Sequence, residues 1–361
     1  MFTSFFKKGE DKEINMIKNT IYFFCLMLNI LLAACTNIID NPIKQFAGRP
    51  VETIIPSKII DLEEFGIFRP FHFIQIDDST FIIQDLKDNN IFNLINLSSK
   101  KVIAGVNKGQ GPDEVLTTSS FLYRDSKILI WDVIKKRMNE IVLSSDSTLA
   151  IKEKYKIDVG SLIIYRINPL DSTFIATGQF EDYWLVEMNK EGKIFSTIDY
   201  PIWKETKDIL KTALPTLYNA FMANSHDNKK VVVVTSNQGV ISFLNRTYSG
   251  IKEYKQMKYH APKFSITEKG AVAYSKNNIE GFWAVDCDNS YVYALYSGRT
   301  FNSDHMESNL CEHLLVYDWD GNPIKRYILD IPIYKMSYNK SKNCIYGLTN
   351  NPEGVLVEYK L

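Results

Sequence analysis

Short runs of Val, Ile, Phe and Tyr alternate along this chain with clusters of Asp, Asn, Ser and Gly, and few stretches keep a helical period. That pattern predicts strands joined by tight turns, an all-β chain. One arrangement recurs: an apolar strand, an Asp- or Asn-led turn, then a second and more apolar strand. It appears as Asp77-Asp78-Ser79-Thr80 before Phe81, Asp125-Ser126-Lys127 before Ile128, and Asp171-Ser172-Thr173 before Phe174. It returns as Asp227-Asn228-Lys229-Lys230 before Val231, Asp288-Asn289-Ser290 before Tyr291, and Asn339 to Asn343 before Cys344. Successive turns lie 46 to 61 residues apart, close to the 40 to 50 or so residues of a four-stranded propeller blade.

Six such turns predict a six-bladed β-propeller with four-stranded blades. Further hairpins fit inside the repeats: Leu314 to Tyr317 runs into Asp318-Trp319-Asp320-Gly321-Asn322, and Trp184 to Met188 runs into Asn189-Lys190-Glu191-Gly192. Gly supplies the positive φ that such turns require. The Asp318-x-Asp320-Gly321 run lacks the later ligands and flanking helices of a calcium loop, so a hairpin is expected there. The last repeat shows three strands, around Tyr334–Tyr338, Cys344–Gly347 and Val355–Tyr359. The fourth is expected from the N-terminal segment Val51–Ile55, which would close the ring and hide the edges of the sheets. Two stretches break the repetition. Trp203 to Lys211 is expected as a helix, and Ser297 to Cys311 as an inter-strand insertion.

The first 34 residues follow a different rule. Lys18 precedes an apolar run from Ile21 to Ala34, too short to span a bilayer and ending in small residues before Cys35, which is the layout of an exported leader. Leu32-Ala33-Ala34-Cys35 resembles the lipobox of bacterial lipoproteins, whose cysteine is acylated before the preceding bond is cut. That resemblance implies lipid attachment at Cys35 and anchoring by several acyl chains. Met16 offers an alternative start that leaves a conventional short n-region. The expected organisation is a signal peptide over 1–34 (1–15 belonging to a misassigned start if Met16 is used), a lipidated tether over 35–50, and the propeller over 51–361.

Charge excludes one class of partner. Without the leader, which carries Lys7, Lys8, Lys12 and Lys18 against Glu10, Asp11 and Glu13, 38 basic side chains face 39 acidic ones. No basic run marks a nucleic-acid surface, and no nucleic acid is expected as a partner. Three cysteines remain beyond Cys35: either Cys287 pairs with Cys311, or Cys287, Cys311 and Cys344 are buried thiols. Their spacing is no zinc pattern, and no metal or cofactor site is expected.

Between the first two repeats lies Asn107-Lys108-Gly109-Gln110-Gly111-Pro112-Asp113-Glu114-Val115. It is similar to the Gly-x-Gly-Pro-x-Glu-Phe signature of the TolB-like six-bladed propeller lipoproteins of Bacteroidetes. Gly109, Gly111, Pro112 and Glu114 match, and Val115 replaces the usual Phe. The lipobox, length and repeats extend the likeness over most of the chain. The resemblance implies a fold and an envelope address, and no catalytic residues. As chemistry, the glycines could cradle an anion on backbone amides. A stiff crossover between blades is the simpler reading, since the Lys-Ser/Thr and helix of a P-loop are missing.

Catalytic patterns are not apparent. His72, His226, His260, His305 and His313 are scattered, without a His-Glu-x-x-His helix or a Gly-x-Ser-x-Gly elbow. Trp131-Asp132 occurs once and lacks the Gly-His partner of a WD repeat. Trp184, Trp203 and Trp283 are candidates for stacking on sugars, although blade cores also need large side chains. The expectation is a non-enzymatic binding or scaffolding module for a protein, peptide or glycan, lipid-anchored at the cell envelope. Thr36 in place of an Asp after the cysteine favours the outer membrane. The alternative is a calcium-dependent lactonase- or esterase-like propeller, with Asp132, Asp286 and Asp288 as available acids.

Overall fold

The computed structural model describes residues 40–87, 89–268, 270–301 and 308–361. The leader, Cys35 and His305 lie outside these residues. Among them, six four-stranded antiparallel blades form a ring. Blade 1 is Pro70–Gln75, Thr80–Asp85, Asn90–Asn96 and Lys101–Asn107, and blade 2 is Thr118–Arg124, Lys127–Asp132, Arg137–Leu143 and Leu149–Lys156. Blade 3 is Ile164–Pro169, Phe174–Gly178, Leu185–Met188 and Ile194–Ile198, and blade 4 is Ala220–Asn224, Lys230–Thr235, Val240–Thr247 and Gly250–Lys258. Blade 5 comprises Phe282–Cys287, Tyr291–Tyr296, Cys311–Asp318 and Pro323–Ile333. Blade 6 takes Lys335–Asn339, Cys344–Thr349 and Val355–Lys360 from the C-terminus and Lys58–Asp61 from the N-terminus.

Each of the six Asp/Asn turns joins the first and second strands of a blade, so all six lie on one face of the ring. The turn-leading side chains explain their residue type. Asp77 Oδ1 accepts from the backbone N–H of Ser79 and Thr80, and Asp288 Oδ1 from Ser290 and Tyr291. A carboxylate that folds back on its own turn in this way fixes the reversal locally.

The second strands are the most apolar because they are covered on both faces. Phe81–Asp85, Phe174–Gly178, Val231–Thr235, Val292–Tyr296 and Cys344–Thr349 are buried throughout. The outer strand Leu149–Lys156 is instead largely open to solvent. Aromatic side chains fill the wedges between blades. Phe81 of blade 1 meets Tyr346 of blade 6 edge-on at 4.8 Å. Trp131 of blade 2 is buried and donates its indole N–H to the Ile164 carbonyl of blade 3, and Trp184 donates likewise to Tyr218. Large rings therefore cover apolar area while their single polar atoms stay satisfied.

Four expectations are corrected. The ring is closed by an N-terminal strand, but that strand is Lys58–Asp61, antiparallel to Val355–Glu358. Val51–Ile54 instead adds in parallel to Arg326–Leu329 as a fifth strand of blade 5. Pro56 separates the two segments, and the wholly buried Leu62 and Ile67 tie the second of them directly into blade 1. Proximity to that plug selects the closing strand. Within the expected tether, Pro42–Phe46 forms a 3-10 turn capped by Asn41, with Phe46 buried 5.2 Å from the Tyr317 ring. Gln45 accepts a hydrogen bond from the Tyr259 hydroxyl.

The expected helix over Trp203–Lys211 is not formed. Two 3-10 turns, Lys204–Thr206 and Lys211–Ala213, lead into one helical turn, Leu214–Leu217. Burial of Thr206, whose hydroxyl meets the hydroxyl of Tyr218, takes precedence over local helical preference. Cys287 and Cys311 are free thiols, as is Cys344. Cys287 sits opposite Val292 at one end of blade 5, whereas Cys311 lies beyond His313 at the other end. At about 3.3 Å per residue, that strand length far exceeds the Cα separation a disulfide tolerates. At Asp318 a hairpin forms as expected: Gly321 takes φ +69° and both carboxylate oxygens of Asp318 are engaged by Asn322.

A chain beginning at residue 57 is expected to unfold in urea as one cooperative transition, because Lys58–Asp61 still closes blade 6. A chain beginning at residue 63 is expected to lose that cooperativity. Equal behaviour of the two would show that the closing strand is dispensable.

Candidate ligand channel

The first strands of the blades touch one another in a closed cycle and wall a central channel of about 650 Å³. Because the six blades share one connectivity, these strands run in the same direction. Their starts gather at one end of the channel and their ends at the other. His72, Ser119, Arg166, Phe221, Trp283 and Lys335 belong to the first end, and Arg124, Asn168, Asn224, Asp286 and Tyr338 to the second.

The first end is cationic and aromatic. The Arg166 guanidinium lies 4.1 Å from the centre of the Phe221 ring, and the Lys335 ammonium lies 4.7 Å from the same point. The two charges can therefore be no further apart than about the sum of those distances. At an effective dielectric near 20 such a pair repels by at least about 2 kcal/mol. Arg166 donates to Asn219 Oδ1 at 2.8 Å, and neither cation forms an ion pair among the described residues. Burial in the wall, reinforced by Arg166, pushes the Lys335 amine down to about 7. Burial also lowers Arg166 to about 10. His72 falls to about 3, chiefly through burial and secondarily through Lys335. Its Nδ1 is 3.1 Å from the Phe73 carbonyl. A carbonyl only accepts, so this neutral ring carries its proton on Nδ1. The Phe221 and Trp283 rings, 6.2 Å apart, supply the apolar surface.

The second end is polar and nearly neutral. Arg124 donates to the carbonyls of Pro169 and His226, bridging blades 2, 3 and 4. Asp286 accepts from the backbone N–H of Tyr338 and Cys287, yet burial still raises it to about 6. Of the three acids considered for calcium, only Asp286 lines the channel. Asp132 accepts from Leu116, Ile134 and Lys135 amides at the end of its strand, and Asp288 is spent on its turn. Among the described residues no three His, Cys, Asp or Glu side chains are grouped as metal ligands.

The Gly-rich motif lies outside the channel, between blades 1 and 2. Glu114 folds back so that its Oε2 accepts from the Gly111 amide at 2.7 Å. A Cβ on Gly109 would overlap the same carboxylate, which would have to leave its bond to Gly111 to make room. From blade 2, Lys135 reaches the Gly111 and Glu114 carbonyls, and Arg137 reaches those of Pro112 and Glu114. Val115 is wholly buried. The loop does cradle an anion, and that anion is the chain's own Glu114.

Of the aromatic candidates, Trp184 belongs to the core, and Trp203 packs under the Lys258 ammonium at 4.4 Å. Only Trp283 lines the channel. Arg166, Lys335 and Phe221 had no mark in the sequence. Each is a single residue near the start of its blade's first strand, and that shared position is the signal by which they could have been found.

A closed six-fold ring of four-stranded blades around a lined channel defines a β-propeller. The sequence profile of the TolB-like 6-blade propeller-like family matches residues 50–340, and the chain belongs to that family. Its fold is similar to the crystal structure of a DUF4221 family member from Bacteroides vulgatus, at 11% identity and TM-score 0.56, covering 85% of this chain and 97% of that one. Regucalcin, a calcium-binding protein from Agrobacterium tumefaciens, aligns at 13% identity and TM-score 0.47 over 86% of this chain and 95% of its own. No curated protein sequence matches the chain.

Replacing Gly109 by Ala is expected to displace the Glu114 carboxylate and cost about 1 to 3 kcal/mol, the worth of a charge-assisted hydrogen bond, in urea denaturation. Glu280, just before the first strand of blade 5, gives a pH test. It is wholly buried, and the only hydrogen-bond partner of its carboxyl among the described residues is the Trp283 indole, which donates to Oε2 at 3.1 Å. Burial raises its carboxyl to about 7. Since the folded state then holds a proton that the unfolded state gives up, this group's contribution is present at low pH and is lost as pH rises towards 7. Glu280→Gln is expected to remove that loss, stabilising the protein above neutrality by up to about 3 kcal/mol and leaving it nearly unchanged near pH 4. Melting temperatures measured across that range decide it.

Proposed function

We propose that this chain is a non-enzymatic binding module of the cell envelope, held to the membrane by lipid on Cys35 and receiving part of its ligand in the central channel. The carrying observation is the channel's first end, where two cations and two aromatic rings face the lumen and neither cation forms an ion pair among the described residues. Groups that are costly to desolvate and yet left unpaired are characteristic of binding sites. The partner is a protein, peptide or glycan presented at the envelope. The Leu-Ala-Ala-Cys sequence supports the anchor, and Thr36 supports the outer membrane as its address.

Cys35→Ala is expected to abolish incorporation of a fatty-acid analogue and to release the protein from membranes; continued labelling would refute the anchor. For the channel, thermal-shift screening of peptide and oligosaccharide libraries should give hits that are lost on Phe221→Ala. A set of hits indifferent to that substitution would place binding elsewhere. Calcium-dependent turnover of lactones or esters that disappears in Asp286→Asn would replace the binding module with a hydrolase.

A further inference from the structure

We propose that the Arg166–Lys335 end of the channel is an oxyanion site, which takes the carboxylate or phosphate of an organic ligand whose apolar body lies against Phe221 and Trp283. The inference deepens the channel-binding reading and rests on it. Two partly buried guanidiniums outside the channel are matched by carboxylates, whereas Arg124 is matched by carbonyls. Arg246 sits between Asp171 and Glu187, and Arg299 pairs with Glu312. Arg166 and Lys335, on opposite sides of the ring in blades 3 and 6, converge on Phe221 without a carboxylate partner among the described residues. Asn219 takes one arm of the Arg166 fork through a neutral oxygen and leaves the remaining N–H donors for a planar anion. Lys335 adds a compact second charge.

Low-dielectric walls concentrate the field of such a pair into the lumen. An incoming oxyanion would offset the repulsion between the cations and restore the full charge of Lys335, whereas a neutral ligand would do neither. The flat surface beside the charges, Phe221 and Trp283 with centroids 6.2 Å apart, suits an aromatic or similarly apolar body. Charged groups facing Lys335 are few. Arg166 and His72 are both displaced away from neutrality, Cys311 is held protonated by burial, and Phe71 and Phe221 carry no charge. Between about pH 6 and pH 9 two groups at this end change charge: Lys335, and Glu280, whose carboxyl accepts from the Trp283 indole and is raised by burial to about 7; Glu280→Gln removes the second and isolates Lys335.

The test is calorimetric titration of the full chain in detergent, at constant ionic strength and about pH 6, with phenylacetate, phenyl phosphate and the uncharged phenylacetamide. At least one anion is expected to bind about tenfold or more tightly than the amide, and whichever binds better identifies the carboxylate or the phosphate as the preferred group. Lys335→Met and Arg166→Gln should each weaken anion binding about tenfold or more and leave the amide unchanged. The Glu280→Gln chain gives an arm that keeps both cations. Its affinity for phenylacetate, which stays ionised throughout, should fall as pH rises from about 6 to 9 as Lys335 loses its proton. Equal binding of anion and amide, a flat pH profile, or no binding of either anion overturns the inference. If neutral ligands still bind in a Phe221-dependent way, the channel reading survives that failure. If nothing binds there, both fall.

Discussion

A single twisted four-stranded blade exposes two apolar faces, and neither can be left in water. Every other feature of this molecule follows from covering those faces with neighbouring blades. The second strand of each blade lies deepest in that stack, which is why segments such as Val231–Thr235 and Phe174–Gly178 carry almost no polar positions. Covering also requires closure. Phe81 of blade 1 reaches its partner ring, Tyr346, only because blade 6 returns beside blade 1. Blade 6 is complete only when Lys58–Asp61 joins it. At the turn face the same junction is fastened again: Asp78 of blade 1 accepts from Asn339 and Ser341, and its carbonyl accepts from Lys342.

Local signals made the repeat legible. An Asx turn is a short-range device, and the apolar run after it marks a strand buried on both faces, so the pair could be counted without knowing the fold. Long-range choices were not legible in this way. Val51–Ile54 and Lys58–Asp61 are equally short and β-prone, and what separates them is the buried plug at Leu62 and Ile67. The pairing of Cys287 with Cys311 was plausible from separation along the chain and impossible once both lay at opposite ends of one blade. The helix expected after Trp203 gave way to burial of Thr206 against Tyr218.

The channel was hidden for a related reason. Arg166, Phe221, Trp283 and Lys335 are spread over four blades, and none belongs to a motif. They meet because the first strands run in one direction, so residues at equivalent depths in different repeats share one level of the lumen. Histidines and acids drew attention in the sequence as potential chemistry. Asp132 and Asp288, however, serve turn and strand-end amides, and His72 is a neutral wall residue.

The Gly-rich loop and the channel show how this chain treats buried positive charge. At the loop, Lys135 and Arg137 are consumed by backbone carbonyls, and the loop's inward amide is consumed by Glu114. Its buried-side charges Lys135, Arg137 and Glu114 all have internal counterparts, and the loop is a joint. At Arg246 two carboxylates complete the same kind of closed account. The channel end differs in one respect: among the described residues no acid pairs with Arg166 or Lys335, while the channel carboxylates Asp125 and Asp286 lie at the opposite end, Asp286 held by Tyr338 and Cys287 amides. Folding places cations there at a cost that the Phe221 ring and the Asn219 oxygen offset only in part. A cost carried at the one lined cavity common to all six blades, and avoided at the joints between them, is the physical ground for assigning recognition to the channel and structure to the motif.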